Sequence, residues 1–138
     1  IIGVKDATGD LNRVDLTLKK LGKDFIQLTG NDDNAFEFNQ KGGVGAISVT
    51  ANIVPKLCSD FQKLSKSENE SDLKQAEQLN KTLQPVHHAM FIESNPSPVK
   101  YAAKLLGLCD DEVRLPLVKI TDSTKEIIKK VLHSAKLI

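Results

Sequence analysis

The sequence predicts an α/β fold in which parallel strands alternate with helices, followed by a purely helical region. Three observations carry this. Short apolar runs without polar alternation recur three times in the first 50 residues, as strands covered on both faces require. Each run is followed by turn-forming residues and then by apolar residues at helical spacing. Beyond the polar stretch Ser65–Asp72, apolar residues recur only with the helical period.

The first strand is Ile1–Val4, within "IIGVKDATGD". Leu11, Val14, Leu18 and Leu21 then form one helical stripe, with Asp10 as N-cap and Gly22 as the stop. Phe25–Gly30 ("FIQLTG") reads as a second buried strand. "NDDNAFEFNQKGG" supplies cap residues, a short helix and a glycine terminator. Gly45–Thr50 ("GAISVT") is the third strand. In "ANIVPKLCSDFQKLSK", Pro55 sits in a first helical turn, and Val54, Leu57, Cys58, Phe61 and Leu64 make the apolar stripe.

The helical region opens with Leu73, Ala76, Leu79 and Leu83 on a helix that Pro85 should kink or end. "NPSPVKYAAKLLG" starts another, with Asn95 as cap, Pro96 near its first position and Gly107 at its stop. The last, "TDSTKEIIKKVLHSAKLI", turns Ile128, Val131, Leu132 and Ala135 inward.

Strand–helix alternation means parallel strands joined by right-handed crossovers. Three such strands leave two raw edges, which a closed (β/α)₈ barrel of about 250 residues removes. The chain has 138 residues and starts inside an apolar strand pattern, without an initiator Met. The expectation is therefore a piece of a longer protein. Residues 1–66 would be the last three βα units of a TIM barrel and residues 67–138 a C-terminal helical region.

Composition narrows the function classes. Hydrophobic residues make up 40% and charged residues 27%, ordinary values for a globular domain with a real core. A net charge of +1, 4% aromatics and no Trp give no case for nucleic acid binding. Cys58 and Cys109 lie in separate amphipathic or apolar segments and are expected to be buried, reduced thiols of a cytosolic protein. No signal peptide is visible, and no apolar run approaches the ~20 residues of a membrane span.

In barrels of this kind the active site lies at the C-terminal ends of the strands. Lys5 stands there. Burying an ammonium group disfavours its charged form, and a free amine attacks a ketone to form a Schiff base. The alternative is a lysine that clears the strand end and reaches water. Gly30 ends the second strand, where a missing side chain admits a small substrate, or simply marks a turn. Ile47 lies lower on the third strand, with Ser48 and Thr50 nearer the mouth.

Other features read as structural. "GGVG" (Gly42–Gly45) ends a helix and precedes a strand, the wrong order for a phosphate loop. His87 and His88 with Glu93 are residue types that ligate zinc, but adjacent helical residues diverge by about 100°, so a polar helix face is expected. The lysines of "STKEIIKKVLHSAK" form a solvated face.

"IIGVKDATGD", "LTGND", "GGVGAISVTAN", "NPSPVKYA" and "RLP" followed by "ITDS" together resemble the dihydrodipicolinate synthase family, in family order across the whole chain. The resemblance is to the C-terminal half of that enzyme. It implies a cytoplasmic, homotetrameric class I aldolase of lysine and diaminopimelate biosynthesis. Such an enzyme condenses pyruvate with L-aspartate 4-semialdehyde to 4-hydroxy-tetrahydrodipicolinate, with no cofactor and no metal.

Carried over, Lys5 matches the Schiff-base lysine, and Gly30 and Ile47 match positions lining the pyruvate pocket, Ile47 through its carbonyl. The family's Gly-Asp-Asp reads Gly30-Asn31-Asp32 here. The tyrosines and threonine of the family's proton relay, and the arginine that binds the aldehyde's carboxylate, lie upstream. Tyr101, Arg13 and Arg114 do not match them. Lysine feedback is likewise an upstream property. The resemblance leaves two other readings open: another pyruvate-dependent aldolase, such as an N-acetylneuraminate lyase, or a non-catalytic relic or assembly module.

Overall fold

The structure, a computed structural model, describes all 138 residues. The elements in chain order are β1 (Gly3–Asp6), α1 (Asn12–Leu21), β2 (Ile26–Thr29), α2 (Ala35–Gln40), β3 (Gly45–Ala46), α3 (Pro55–Leu64), α4 (Glu70–Ala89), α5 (Ser97–Leu105) and α6 (Asp122–Ser134). Short 3₁₀ turns at Asp32–Asn34 and Thr50–Asn52 follow β2 and β3. No helix is long and apolar enough to cross a membrane. By packing the chain divides into two compact units, residues 1–48 with 56–80 and residues 49–55 with 81–138. The division falls inside α4 rather than at the polar stretch Ser65–Asp72.

The first unit holds the sheet, whose order is β1-β2-β3 with both pairings parallel. The strands differ from expectation at their ends. β1 runs through Lys5 to Asp6, because Asp6 still pairs with Thr29. β2 is shorter than Phe25–Gly30, and β3 stops at Ala46 instead of reaching Thr50. There Val49 turns into the right-handed helical region and the 3₁₀ turn takes over.

α1 buries Val14, half-buries Leu11 and Leu18, and leaves Leu21 exposed. Leu11 rather than the expected Asp10 takes the N-cap position of α1, and Asp10, one residue further out, accepts the Asn12 N–H on Oδ1 at 3.0 Å. Gly22, at φ +83°, returns its N–H to Leu18 and ends the helix. After α2, Gly43 packs so tightly on Phe38 that any β-carbon there would enter the ring, so the glycine pair is a helix stop and tight turn. α3 buries Cys58 and Phe61. Asn39 Nδ2 donates to Gln62 Oε1 and Ser65 Oγ, both at 2.8 Å, which ties α2 to α3 and the turn after it.

In the second unit, Leu83, Val86, Ala89 and Met90 near the end of α4, Ala102 on α5, and Ile128 and Leu132 on α6 are almost wholly buried. Each large apolar side chain removed from water contributes roughly 1.5–3 kcal/mol. α5 packs against α6. Three expectations are corrected here. α4 does not end at Pro85 but runs on to Ala89, and Pro85 and Lys81, whose carbonyl lacks the Pro85 N–H as donor, are both exposed residues. Asn95 does not cap α5; Pro96 takes the cap position, Pro98 sits in the first turn, and Ser97 Oγ instead donates to the Val118 carbonyl at 2.7 Å. His87 is not on a polar face but 3% exposed, its Nδ1 2.7 Å from the fully buried Thr50 hydroxyl. The expected stop of α5 holds, with Gly107 at φ +71°, and Thr121 caps α6 by accepting the Thr124 N–H.

Candidate functional site

Residues that pair across a parallel sheet point to the same face, and successive residues point to opposite faces. Lys5 pairs with Leu28, and Leu28 with Gly45. Gly30 and Ile47 lie two residues further along β2 and β3, so all these positions share one face. The ladder runs past the assigned strands. The Gly30 N–H donates to the Asp6 carbonyl at 2.7 Å, and the Ile47 N–H donates to the Thr29 carbonyl at 2.9 Å. The three residues singled out from sequence are thus brought to neighbouring strand ends on one face.

Contact between the first two is close. A β-carbon built on Gly30 would lie 2.6 Å from the Lys5 Cε and 2.7 Å from the Ala7 Cβ. The lysine stem passes over position 30 because glycine leaves the space. Glycine is needed at position 30 by this close approach of the Lys5 stem and of Ala7.

The opposite face is covered. Gln27 and Thr29 are 3% and 1% exposed, and Gln27 Nε2 donates to the Val14 carbonyl of α1 at 3.3 Å. The Lys5 face is not. Ile26 and Ile47 are 42% and 50% exposed, and Lys5 is exposed as well. The expectation of a desolvated amine is therefore corrected for this chain. Three strands side by side cannot enclose the face that carries Lys5, and α1 packs on the other one.

Ser48 and Thr50, expected near the mouth, also differ. Thr50 is fully buried in its 3₁₀ turn. Ser48 gives a hydrogen bond to Cys58. Burial, with the negative charge of Asp32, outweighs that bond and pushes the Cys58 thiol up to about 11, so this sulfur stays a protonated packing group. Cys109, expected to be buried, is exposed, since it lies beyond the Gly107 stop of α5.

Sequence reasoning missed the network next to the lysine. Asp6, on the covered face, accepts the Thr8 N–H at 2.8 Å and the Thr8 hydroxyl at 2.6 Å on Oδ1, and Arg13 Nε at 2.5 Å on Oδ2. Burial opposes ionisation of Asp6, but the bonds from Thr8 and Arg13 and the guanidinium charge prevail and hold it down at about 2. An Asp two residues before a Thr, "DAT", is a turn signature that was readable in the sequence. At the second strand end, the Asn31 N–H donates to Thr29 Oγ1 at 3.0 Å, and that hydroxyl donates to Asn34 Oδ1 at 2.9 Å. No group of three or more His, Cys, Asp and Glu is placed to hold a metal ion.

Residues 1–135 match the dihydrodipicolinate synthetase family. The chain is 72% identical over all 138 residues to the 4-hydroxy-tetrahydrodipicolinate synthase of Pelagibacter ubique, of which it covers 47%. It is 50% identical to the enzyme of the same name from Bartonella bacilliformis, of which it covers 46%. Among solved structures, the 4-hydroxy-tetrahydrodipicolinate synthase of Methylacidiphilum fumariolicum superposes with a TM-score of 0.92 at 36% identity, matching 99% of this chain and 44% of that one. The chloride-inhibited dihydrodipicolinate synthase of Acinetobacter baumannii, solved with pyruvate, gives 0.92 at 38% identity over 100% of this chain and 46% of that one. The chain spans about half the length of the relatives it matches.

Proposed function

Because the chain belongs to the dihydrodipicolinate synthetase family, we propose that Lys5 is the amine of a Schiff-base synthase that joins pyruvate to L-aspartate 4-semialdehyde. One observation carries this reading: the Lys5 stem lies over Gly30 at the end of a parallel strand, with Ile47 on the same face. In this reading a small keto acid lies beside half-buried Gly30 and exposed Ile47.

The chemistry follows from the amine. Neutral Lys5 Nζ adds to the pyruvate ketone, and loss of water leaves an iminium whose positive nitrogen draws electrons from the methyl carbon. That carbon gives up a proton and becomes an enamine. The enamine carbon then bonds to the aldehyde carbon of the second substrate. Finally, the substrate's own amine displaces Lys5 and closes the ring, so the lysine is regenerated.

Each step moves a proton, and catalysis needs groups to carry it. Tyr101, the single tyrosine, is 7% exposed within α5 and is a core residue of the second unit. In this reading residues 1–66 form the last three βα units of a (β/α)₈ barrel and residues 67–138 its helical extension. The whole protein is a cytoplasmic homotetramer, with the remaining strands covering the Lys5 face. The 138-residue chain alone then binds pyruvate poorly and turns over little.

The test is reduction with borohydride in the presence of pyruvate, followed by mass analysis of the Lys5 peptide. Reading the mass of reduced pyruvate on Lys5, and nowhere after Lys5→Arg, is the expected result. An unlabelled Lys5 in the full-length protein would overturn the assignment. Cleavage of sialic acid by the full-length protein, with no ring product from the semialdehyde, would favour the lyase reading instead.

A further inference from the structure

We propose that Asp6 is a positioning residue for Lys5, its side chain and its carbonyl together fixing the end of β1 so that the amine stays over Gly30. The inference rests on the Schiff-base reading of Lys5 and adds a residue to it. Lys5 and Asp6 are adjacent and so point to opposite faces of β1. Whatever immobilises Asp6 on the covered face sets where the Lys5 stem begins on the open one.

The immobilisation is threefold. Asp6 Oδ1 takes both the N–H and the hydroxyl of Thr8, which closes the turn after β1. Oδ2 takes Arg13 Nε, which ties the strand end to the first turns of α1. The Asp6 carbonyl takes the Gly30 N–H, which ties it to the end of β2. Its side chain is 14% exposed, against 54% for Arg13, so the carboxylate is the sheltered partner of this pair.

Lys5 itself engages in no ion pair, so nothing at its own head sets its direction. Its four-carbon stem is guided by the backbone beneath it and by the space above Gly30. A displacement of about 1 Å at a reacting group can cost on the order of 100-fold in rate. A carboxylate suits the clamp better than an amide, because two of its three donors meet one oxygen and the third is a guanidinium.

The experiment uses the full-length protein, as in the test of Lys5 above, and its Asp6→Asn, Asp6→Glu, Thr8→Val and Arg13→Gln variants. Two quantities are read: the rate of borohydride-trapped label on Lys5 against pyruvate concentration, and amide hydrogen exchange at Gly30. For Asp6→Asn the limiting trapping rate should fall between about 10- and 100-fold at an unchanged half-saturating concentration. Gly30 should exchange faster while the amides of α4 do not, and Asp6→Glu should recover part of both. Simple loss of folded protein would instead lower the fraction labelled and leave its rate alone, which counts against positioning.

Wild-type trapping in Asp6→Asn with Gly30 still protected overturns the proposal. If Asp6→Asn does not fold, Thr8→Val and Arg13→Gln each remove one donor and should each slow trapping; wild-type rates in both overturn it. If the wild-type full-length protein takes up no label, the Lys5 reading fails and this proposal fails with it, whereas a labelled wild type with an equally fast Asp6→Asn defeats this proposal alone.

Discussion

The Lys5 side chain occupies the volume that any β-carbon at Gly30 would need, with the Lys5 Cε 2.6 Å from that point. The two residues are coupled by exclusion. Replacing Gly30 by Ala displaces the lysine stem, which can swing into open space. It also presses on Ala7, whose Cβ would be 2.7 Å away and cannot swing. The expected cost is about 1–3 kcal/mol, the range for overpacking. Calorimetry or urea unfolding measures that part. The functional part is a fall of about tenfold or more in borohydride trapping at Lys5 in folded Gly30→Ala protein, since the amine is moved off its floor. Unchanged trapping would mean that the stem does not need this space.

The strand-end positions that the structure brings to one face were legible because each is marked by something local. Lys5 follows one apolar run, Gly30 ends another, and Ile47 lies within a third, and the C-terminal ends of barrel strands are where sites form. Solvation was not legible. Whether an amine is dry depends on atoms across the sheet face, and no spacing within 138 residues supplies them. The failures in the helical region have a similar cause. Pro85 breaks a helix by local rules, yet buried Leu83, Val86 and Met90 on its flanks hold the helix together. His87 looks polar by type, and only the fold brings the Thr50 hydroxyl to it.

Asp6 makes part of the protein's stability depend on acid. Its carboxyl is held at about 2, below the ordinary 3.8. The folded form therefore binds its proton less readily than the unfolded chain does. The stabilisation is fully present above about pH 4 and is lost as pH falls through 4 toward 2, a contribution on the order of 1 kcal/mol after solvent screening. Asp111, held low by Lys104 and Lys119, titrates in the same region, so total acid unfolding does not isolate Asp6. The stability difference between wild type and Asp6→Asn does. It should be largest above about pH 4 and shrink as pH falls, and a difference that is flat with pH would refute the ion-pair account.

Thr50→Val removes the hydrogen bond that joins the 3₁₀ turn after β3 to the buried His87. Valine matches threonine in shape but cannot hydrogen-bond, so the loss of this bond in a buried site should cost about 1–3 kcal/mol. Thr50→Ser keeps the hydroxyl and should recover most of it. Thermal unfolding of the three proteins checks the order wild type, Ser, Val. Equal melting temperatures for Val and wild type would show that the bond contributes nothing net.

Pro85 offers the opposite sign. It lies inside α4 without an N–H, so the Lys81 carbonyl has no helical partner, and both residues are exposed. An interior proline costs about 3 kcal/mol relative to alanine. Alanine is therefore favoured by up to about 3 kcal/mol if the helix itself is unchanged. Pro85→Ala should therefore raise the melting temperature by several degrees. Amides flanking Lys81 and Pro85 should also exchange more slowly, because the missing bond is restored. A lower melting temperature would mean that the ring packs on its surroundings more than its exposure indicates.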